Sequence, residues 1–419
     1  MAAIPLSAED CAILDLESGA VVGHTCKVVL LGAPAPGLEA LRDSITRRID
    51  AAPPLRWRLS GTAQQPAWVE EDRVDVRAHV VAADEVRTGR ELRERVARLF
   101  AERLDRERPL WRLDVVPHAP ETSGPGGAAL VWRIHHALAD GTTAMRFADA
   151  VLWDADGQPA DGPRRARHTA AADQDRRRAR LAAFLRHEVA LGAGRSPFDA
   201  RIGSGREVAF ANTPLRPLHD VAKRLCGATV NDAVLATVAG SLRTWLEHHH
   251  GRLGGVRVKV PVSLHHGDDE GNRDSFFTLE LPLGEPDPVA RLSAIHRATA
   301  ERKANHDAET LDRLMRELAV ASPGLERFCR ELEASPRTFA LSVSNVPGPG
   351  GALTVVGAPV EAVYSIAEIG ERHALRIAVL SASGNLRFGF CSDPEIVHDL
   401  DRLARGVEAE VEALHTAAG

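Results

Sequence analysis

Lysine is nearly missing from this chain: of 52 basic residues only Lys27, Lys223, Lys259 and Lys303 are lysines. That bias fits a GC-rich coding sequence better than a function. Aromatic residues are scarce as well, with 11 Phe, 6 Trp and one Tyr, too few for a platform that stacks the bases of a single-stranded nucleic acid. Positive charge is not in excess. The balance of 52 basic against 58 acidic residues gives a formal net charge of -6, the wrong sign for a polyanion-binding footprint, so nucleic acid is not expected as a partner. The five cysteines, at 11, 26, 226, 329 and 391, are odd in number and show no C-x-x-C spacing. Neither a zinc knuckle nor a disulfide framework is implied, and a reducing compartment is. No run approaches 18 apolar residues, and the opening MAAIPLSAEDCAILDLE has no basic segment. The expectation is a cytoplasmic protein, at most peripheral to a membrane or lipid droplet.

What is present is an ordinary globular composition: 419 residues, 44% hydrophobic and 26% charged, with ample chain for a core and two or three domains. Short apolar runs alternate with amphipathic segments. VGHTCKVVLLG (22–32) and GGAALVWRIHH (126–136) read as strands; LEALRDSITRRI (38–49), ELRERVARLFAERL (91–104) and TTAMRFADAVLW (142–153) read as helices, with apolar residues at i, i+3, i+4 and i+7. After a Gly-, Pro- and Arg-rich stretch, the alternation resumes. TVNDAVLATVAGSLRTWLEHH (229–249) is a predicted helix with Thr229 or Asn231 near its N-cap and Gly251 near its C-cap. VRVKVPVSL (256–264), FFTLELPLG (276–284) and ALSVSNVPGPGG (340–351) are predicted strands, ALRIAVLSASGNLRFGFCSD (374–393) a hairpin, and about 394–414 a closing helix. The class is α/β with mixed sheets. The division expected is an N-terminal half (1–153), a linker (154–208) and a C-terminal half (209–419). Eight arginines fall between 164 and 186; without interleaved aromatics they suit a solvated linker better than an anion-binding patch.

One motif carries chemistry. The strand AALVWRI runs into His135-His136-Ala137-Leu138-Ala139-Asp140-Gly141, the pattern H-H-x-x-x-D-G. A histidine at a strand-to-loop junction can hold an imidazole in a cleft while the sheet fixes its backbone, which suits a general base. Asp140 is too local to be a remote triad member. It is expected to pin the loop, either by pairing with an arginine or by capping the helix that follows. Gly141 would let a substrate or backbone come close.

This pattern resembles the active-site motif of the CoA-dependent acyltransferase superfamily, which includes chloramphenicol acetyltransferases, peptide-synthetase condensation domains and the wax ester synthase/diacylglycerol acyltransferase family. Other stretches are similar to the last of these. PLSAEDCAILDLESG (5–19) resembles its opening segment, and LDRERPLWRLDVV (104–116) the stretch before its catalytic strand. VNDAVLATVAGSLRTWL (230–246) carries its Asn-Asp helix start, KVPVSL (259–264) its strand, GNR (271–273) its asparagine turn, and LSVSNVPGP (341–349) its S-N-V-P-G-P signature. The likeness spans nearly the whole chain in the right order.

The resemblance implies two chloramphenicol-acetyltransferase-like subdomains, each a mixed β-sheet with flanking helices, and an active-site tunnel between them. His136 would be the general base, with His135 and Asp140 positioning the loop. Ser342, Ser344 and Asn345 are the candidates for stabilising the oxyanion; if 341–345 is extended, the two serines share one face and Asn345 takes the other. Asn231, Asp232, Asn272, Pro347 and Gly348 would support the site or line it, although a helix N-cap is the simpler role for Asn231-Asp232. No cofactor or metal is implied. The co-substrate is acyl-CoA and the acceptor an alcohol.

The sequence also departs from the family pattern, and other readings stay open. His265 and His266 stand where the family usually has an arginine, and GNRDS replaces the more usual G-N-R-F. The acidic balance favours a small or soluble acceptor over a bilayer lipid. A condensation-like enzyme taking its acyl group from an acyl carrier protein, or forming an amide, is the nearest alternative; a non-catalytic binding protein of the same fold is another. His248-His249-His250 before Gly251 suits a helix C-terminus, and metal-dependent hydrolysis through His265–Glu270 is the least favoured reading.

Overall fold

A computed structural model describes residues 3–62, 65–118, 126–154, 196–263, 274–307, 310, 335–336 and 338–419. The elements follow in chain order. The first part contains β1 (Ile4–Pro5), α1 (Ala8–Asp15), β2 (His24–Leu31), α2 (Leu38–Arg48), β3 (Trp57–Thr62), β4 (Gln65–Glu70), α3 (Val76–His79), β5 (Val80–Ala82), α4 (Gly89–Ala101), β6 (Trp111–His118), β7 (Gly127–His135) and α5 (Gly141–Val151). The second contains β8 (Glu207–Pro214), α6 (Leu215–Cys226), α7 (Val230–His250), β9 (Val256–Ser263), β10 (Asp274–Leu281), α8 (Pro288–Asn305), β11 (Leu341–Pro347), β12 (Thr354–Val355), β13 (Ala358–Ala367), β14 (Leu375–Ala382), β15 (Asn385–Ser392) and α9 (Leu400–Ala418). The closing helix starts at Leu400 rather than near 394, because Asp393 accepts backbone N–H groups from Glu395 and Val397 in a turn of its own.

Two six-stranded mixed sheets carry the molecule, in the orders β12-β13-β2-β7-β6-β5 and β10-β9-β11-β14-β15-β8. β11 runs parallel to both of its neighbours, and β2 runs antiparallel to β7 and β13. A small third sheet has the order β1-β4-β3. The β14–β15 hairpin turns through Ser383 and Gly384, both at positive φ (47° and 75°), the backbone that a two-residue type I′ turn requires.

The sheets do not follow the division expected at the linker. β12 and β13, more than 200 positions downstream of β2, complete the N-terminal sheet, with Tyr364 opposite Val28 and Ser365 opposite Lys27. The linker boundary also shifts, since β8 begins at Glu207. The cause lies in the residues: Val360, Ala362, Val363, Tyr364 and Ile366 are apolar on both faces of β13, as a strand buried between neighbours must be. One core packs Val28, Val131 and Ile366 of the first sheet together with Val258, Leu341, Ile377 and Phe388 of the second and helices α7 and α9. The other face of the first sheet packs on α2 and α5 and reaches Leu380 of β14.

Candidate active site

The histidine pair sits where β7 leaves its sheet. His135 donates its backbone N–H to Leu110 O at 2.9 Å, and His136 donates to Gly23 O at 2.9 Å. The turn then closes on itself, with the N–H groups of Leu138 and Ala139 donating to His135 O at 2.9 and 3.1 Å. Asp140 is the N-cap of α5, its Oδ1 accepting from Thr143 N–H at 2.6 Å. The motif is thus a strand, one tight turn and a capped helix, each fixing the next.

His135 is buried. Its Nε2 faces Glu17 Oε1 at 2.7 Å, and its Nδ1 accepts from Ala137 N–H at 3.1 Å. Glu17 in turn pairs with Arg106 through Oε1 at 2.8 Å and with Arg103 through Oε2 at 2.6 Å. Burial works against its ionisation, but the hydrogen bonds from His135 and Arg106 win and hold the carboxyl at about 2. Gly23, at φ +73°, lies against this pair. A Cβ there would come within 2.8 Å of His135 Nε2 and 2.9 Å of Glu17 Cγ, so only glycine fits.

His136 is also strongly shifted from its ordinary chemistry. Burial, followed by the positive charge of Arg376, brings its imidazolium down to about 4, while the Asp140 carboxylate pulls the other way. It is therefore neutral at pH 7, the form a proton acceptor needs. Arg376 lies on β14 and pairs in register with Ser342 on β11, so the second sheet places a cation and a serine together. Ser342 is 7% exposed, and its Oγ meets no hydrogen-bond partner among the described residues. Ser344 shares its face, and Asn345 takes the opposite one.

The two halves meet at Gly141. A Cβ there would stand 3.4 Å from Val346 Cγ2 and 3.8 Å from Lys27 Nζ, so the small residue seats α5 against β11. The close approach expected at Gly141 is made here by the side chains of Val346 and Lys27. Lys27 is fully buried, donates to Ser365 Oγ at 2.8 Å and is lowered by burial to about 8. Pro347 is exposed at the end of β11, and Gly348 N–H closes on Ser381 O at 2.7 Å.

Other expected residues fall elsewhere. Asp232 accepts from Thr229 N–H at 2.8 Å, Thr299 Oγ1 at 2.6 Å and His296 Nδ1 at 2.9 Å, completing a capping box on α7. Its hydrogen bonds belong to a helix start and not to the histidine turn. Asn231 is partly exposed one position before it. Asn272, His265–Glu270 and the arginines of 164–186 lie outside the described residues. Among the described residues no three His, Cys, Asp or Glu side chains are grouped to hold a metal ion. No single helix among them is long and apolar enough to cross a membrane. Glu17, Arg376 and Lys27 carried no motif of their own. Glu17 lies inside the quoted opening segment, yet its contact spans 118 positions, and no local spacing predicts that.

Two six-stranded mixed sheets, the first completed by strands from the later part of the chain, with a paired-histidine turn at the end of β7 and Arg376 and Ser342 side by side on the second, define the two-lobed acyltransferase architecture. The first condensation domain of the calcium-dependent antibiotic synthetase, solved with a substrate analogue, has this fold, with a TM-score of 0.65, 17% identity and 100% and 97% of the two chains covered. The wax ester synthase/diacylglycerol acyltransferase from Marinobacter aquaeolei VT8 superposes with a TM-score of 0.72 at 25% identity, over 99% of this chain and 100% of that one. A Mycobacterium tuberculosis (strain H37Rv) protein named as a probable diacylglycerol O-acyltransferase, tgs2, is 29% identical over 86% of each chain. Residues 6–190 match the wax ester synthase/diacylglycerol acyltransferase catalytic domain, and residues 270–415 match the C-terminal domain of the same family. The chain belongs to the wax ester synthase/diacylglycerol acyltransferase family.

Proposed function

We propose that this enzyme moves an acyl group from acyl-CoA to the hydroxyl of an alcohol acceptor, with His136 as general base. The observation that carries the assignment is the partly buried imidazole of His136, on a turn held at both ends, with its proton affinity lowered by Arg376 of the other sheet, the residue that pairs in register with Ser342. The acceptor O–H gives its proton to the imidazole as the oxygen attacks the thioester carbonyl. Ser342 is the proposed donor to the oxyanion that forms, a reading supported by its buried hydroxyl having no partner among the described residues. Collapse of the tetrahedral intermediate breaks the C–S bond, and the imidazolium protonates the departing CoA thiolate. An imidazolium with a pKa near 4 gives up that proton readily, so one residue serves both steps.

The net charge of -6 favours an acceptor met in water or at the edge of a lipid phase over one drawn from a strongly anionic bilayer. The test is thiol release from a panel of acyl-CoAs with long-chain alcohols, diacylglycerol and small alcohols or amines, in wild type and His136→Ala. General-base loss lowers kcat by about 10²–10⁴-fold. Ester formation that survives His136→Ala overturns the assignment, and product seen only with an acylated carrier protein replaces the donor.

A further inference from the structure

We infer that Glu17 is a positioning residue that sets the tautomer of His135 and thereby the orientation of His136; this rests on His136 being the base. An imidazole nitrogen that accepts from a backbone N–H carries no proton. His135 Nδ1 accepts from Ala137 N–H, so its proton sits on Nε2, aimed at Glu17 Oε1 at 2.7 Å. The opposite tautomer would set Nδ1–H against Ala137 N–H, donor against donor, and would leave the Glu17 carboxylate facing a bare lone pair. The turn 135–139 would then lose one of the three hydrogen bonds that close it, and His136 is the second residue of that turn.

Packing alone does not choose between the tautomers. The two tautomers have the same shape, and His135 lies at the wall of a cavity of about 550 Å³, lined among others by Leu14, Glu17, Val22, Arg103 and Arg106. The choice falls to hydrogen bonding, and the carboxylate is well secured for it. Its side chain is 9% exposed, and Arg103 and Arg106 hold it from the solvent side at 2.6 and 2.8 Å while themselves half exposed. Gly23 ties the pair to the base directly. Its Cα packs against the Glu17–His135 contact, and its carbonyl accepts from His136 N–H at 2.9 Å. A change at Glu17 therefore reaches His136 by two short routes, through the His135 ring and through the Gly23 backbone.

The experiment uses full-length protein labelled with ¹⁵N-histidine, the His135 signals being identified by their loss in His135→Gln. Wild type is expected to show His135 as the Nε2–H tautomer. Glu17→Leu should show a mixed or inverted tautomer, with kcat down about 100-fold, as expected for a misplaced reacting group, and KM for acyl-CoA within about threefold. Glu17→Gln keeps an acceptor oxygen and should restore both the tautomer and most of kcat. A purely structural role would lower the folded fraction and leave kcat per folded molecule unchanged. That result, or a Glu17→Leu protein that keeps the Nε2–H signal or stays within twofold of wild-type kcat, overturns the inference. Should Glu17→Leu fail to fold, Glu17→Asp decides: its carboxylate is one methylene short of His135, and an unchanged tautomer and kcat would sink the idea. If wild type transfers no acyl group at all, the role of His136 falls, while the tautomer comparison still judges Glu17.

Discussion

At His136 burial and two charged neighbours lead in setting the proton affinity: burial and the Arg376 guanidinium push it down, and the Asp140 carboxylate holds it up. A base must be unprotonated to work, so kcat/KM should stay level from neutral pH down to about 5 and fall as the pH drops through about 4. A pH–rate profile tests this, and the sign of each contribution can be tested too. Arg376→Met removes a repulsive charge and should move the acid limb to higher pH. The limb staying in place would show that Arg376 does not act on the base. The same residues show what the sequence could disclose. His135, His136 and Asp140 lie within six positions, and their pattern is visible by eye. Arg376 and Glu17 sit 240 and 119 positions from His136 and act only because sheets bring them there.

Among the elements, helix starts are the most legible parts of the chain, because capping is a local code. Thr229 and Asp232 form a reciprocal box at the start of α7, and Asp140 caps α5. Thr229→Ala should cost about 1 kcal/mol of stability. Asp232→Ala should cost more, about 2 kcal/mol or above, because it takes the acceptor from Thr229 N–H and His296 Nδ1 and leaves the Thr299 hydroxyl only the His296 carbonyl; chemical denaturation measures both. Strands β2, β7, β9 and β11 also follow from their apolar alternation or apolar runs. β13 does not. Its sequence APVEAVYSIA gives no clue that its partner is β2, because pairing between distant strands depends on what else fills the sheet and not on anything within ten residues.

Across the whole molecule, a buried ion pair joins three distant stretches. Arg206 Nε donates to Glu368 Oε1 at 2.9 Å, Glu368 Oε2 accepts from Val22 N–H at 3.2 Å, and Arg206 also donates to Ala20 O and to Gly203 O at 2.9 Å. The N-terminal segment, the strand after the linker and the end of β13 are thus fastened at one point. Arg206→Met leaves the Glu368 carboxylate buried without its cation and should cost about 3–5 kcal/mol at neutral pH. Burial already raises the Glu368 carboxyl, with Arg206 opposing, and the substitution raises it further. The folded state then binds a proton more readily than the unfolded chain, so the deficit should shrink as the pH falls through that raised value. Thermal unfolding at several pH values measures it.

β13 has a consequence for how such a chain can be made and remade. All seven residues of the histidine motif are in place once residue 141 has been synthesised, but the sheet that presents them stays two strands short until residue 367 has followed. A ribosome therefore releases a finished motif long before a finished site, and β2 keeps an open edge through more than 200 further residues of synthesis. For the same reason, a gene fusion that exchanges the second half for that of a relative also exchanges an inner strand of the first.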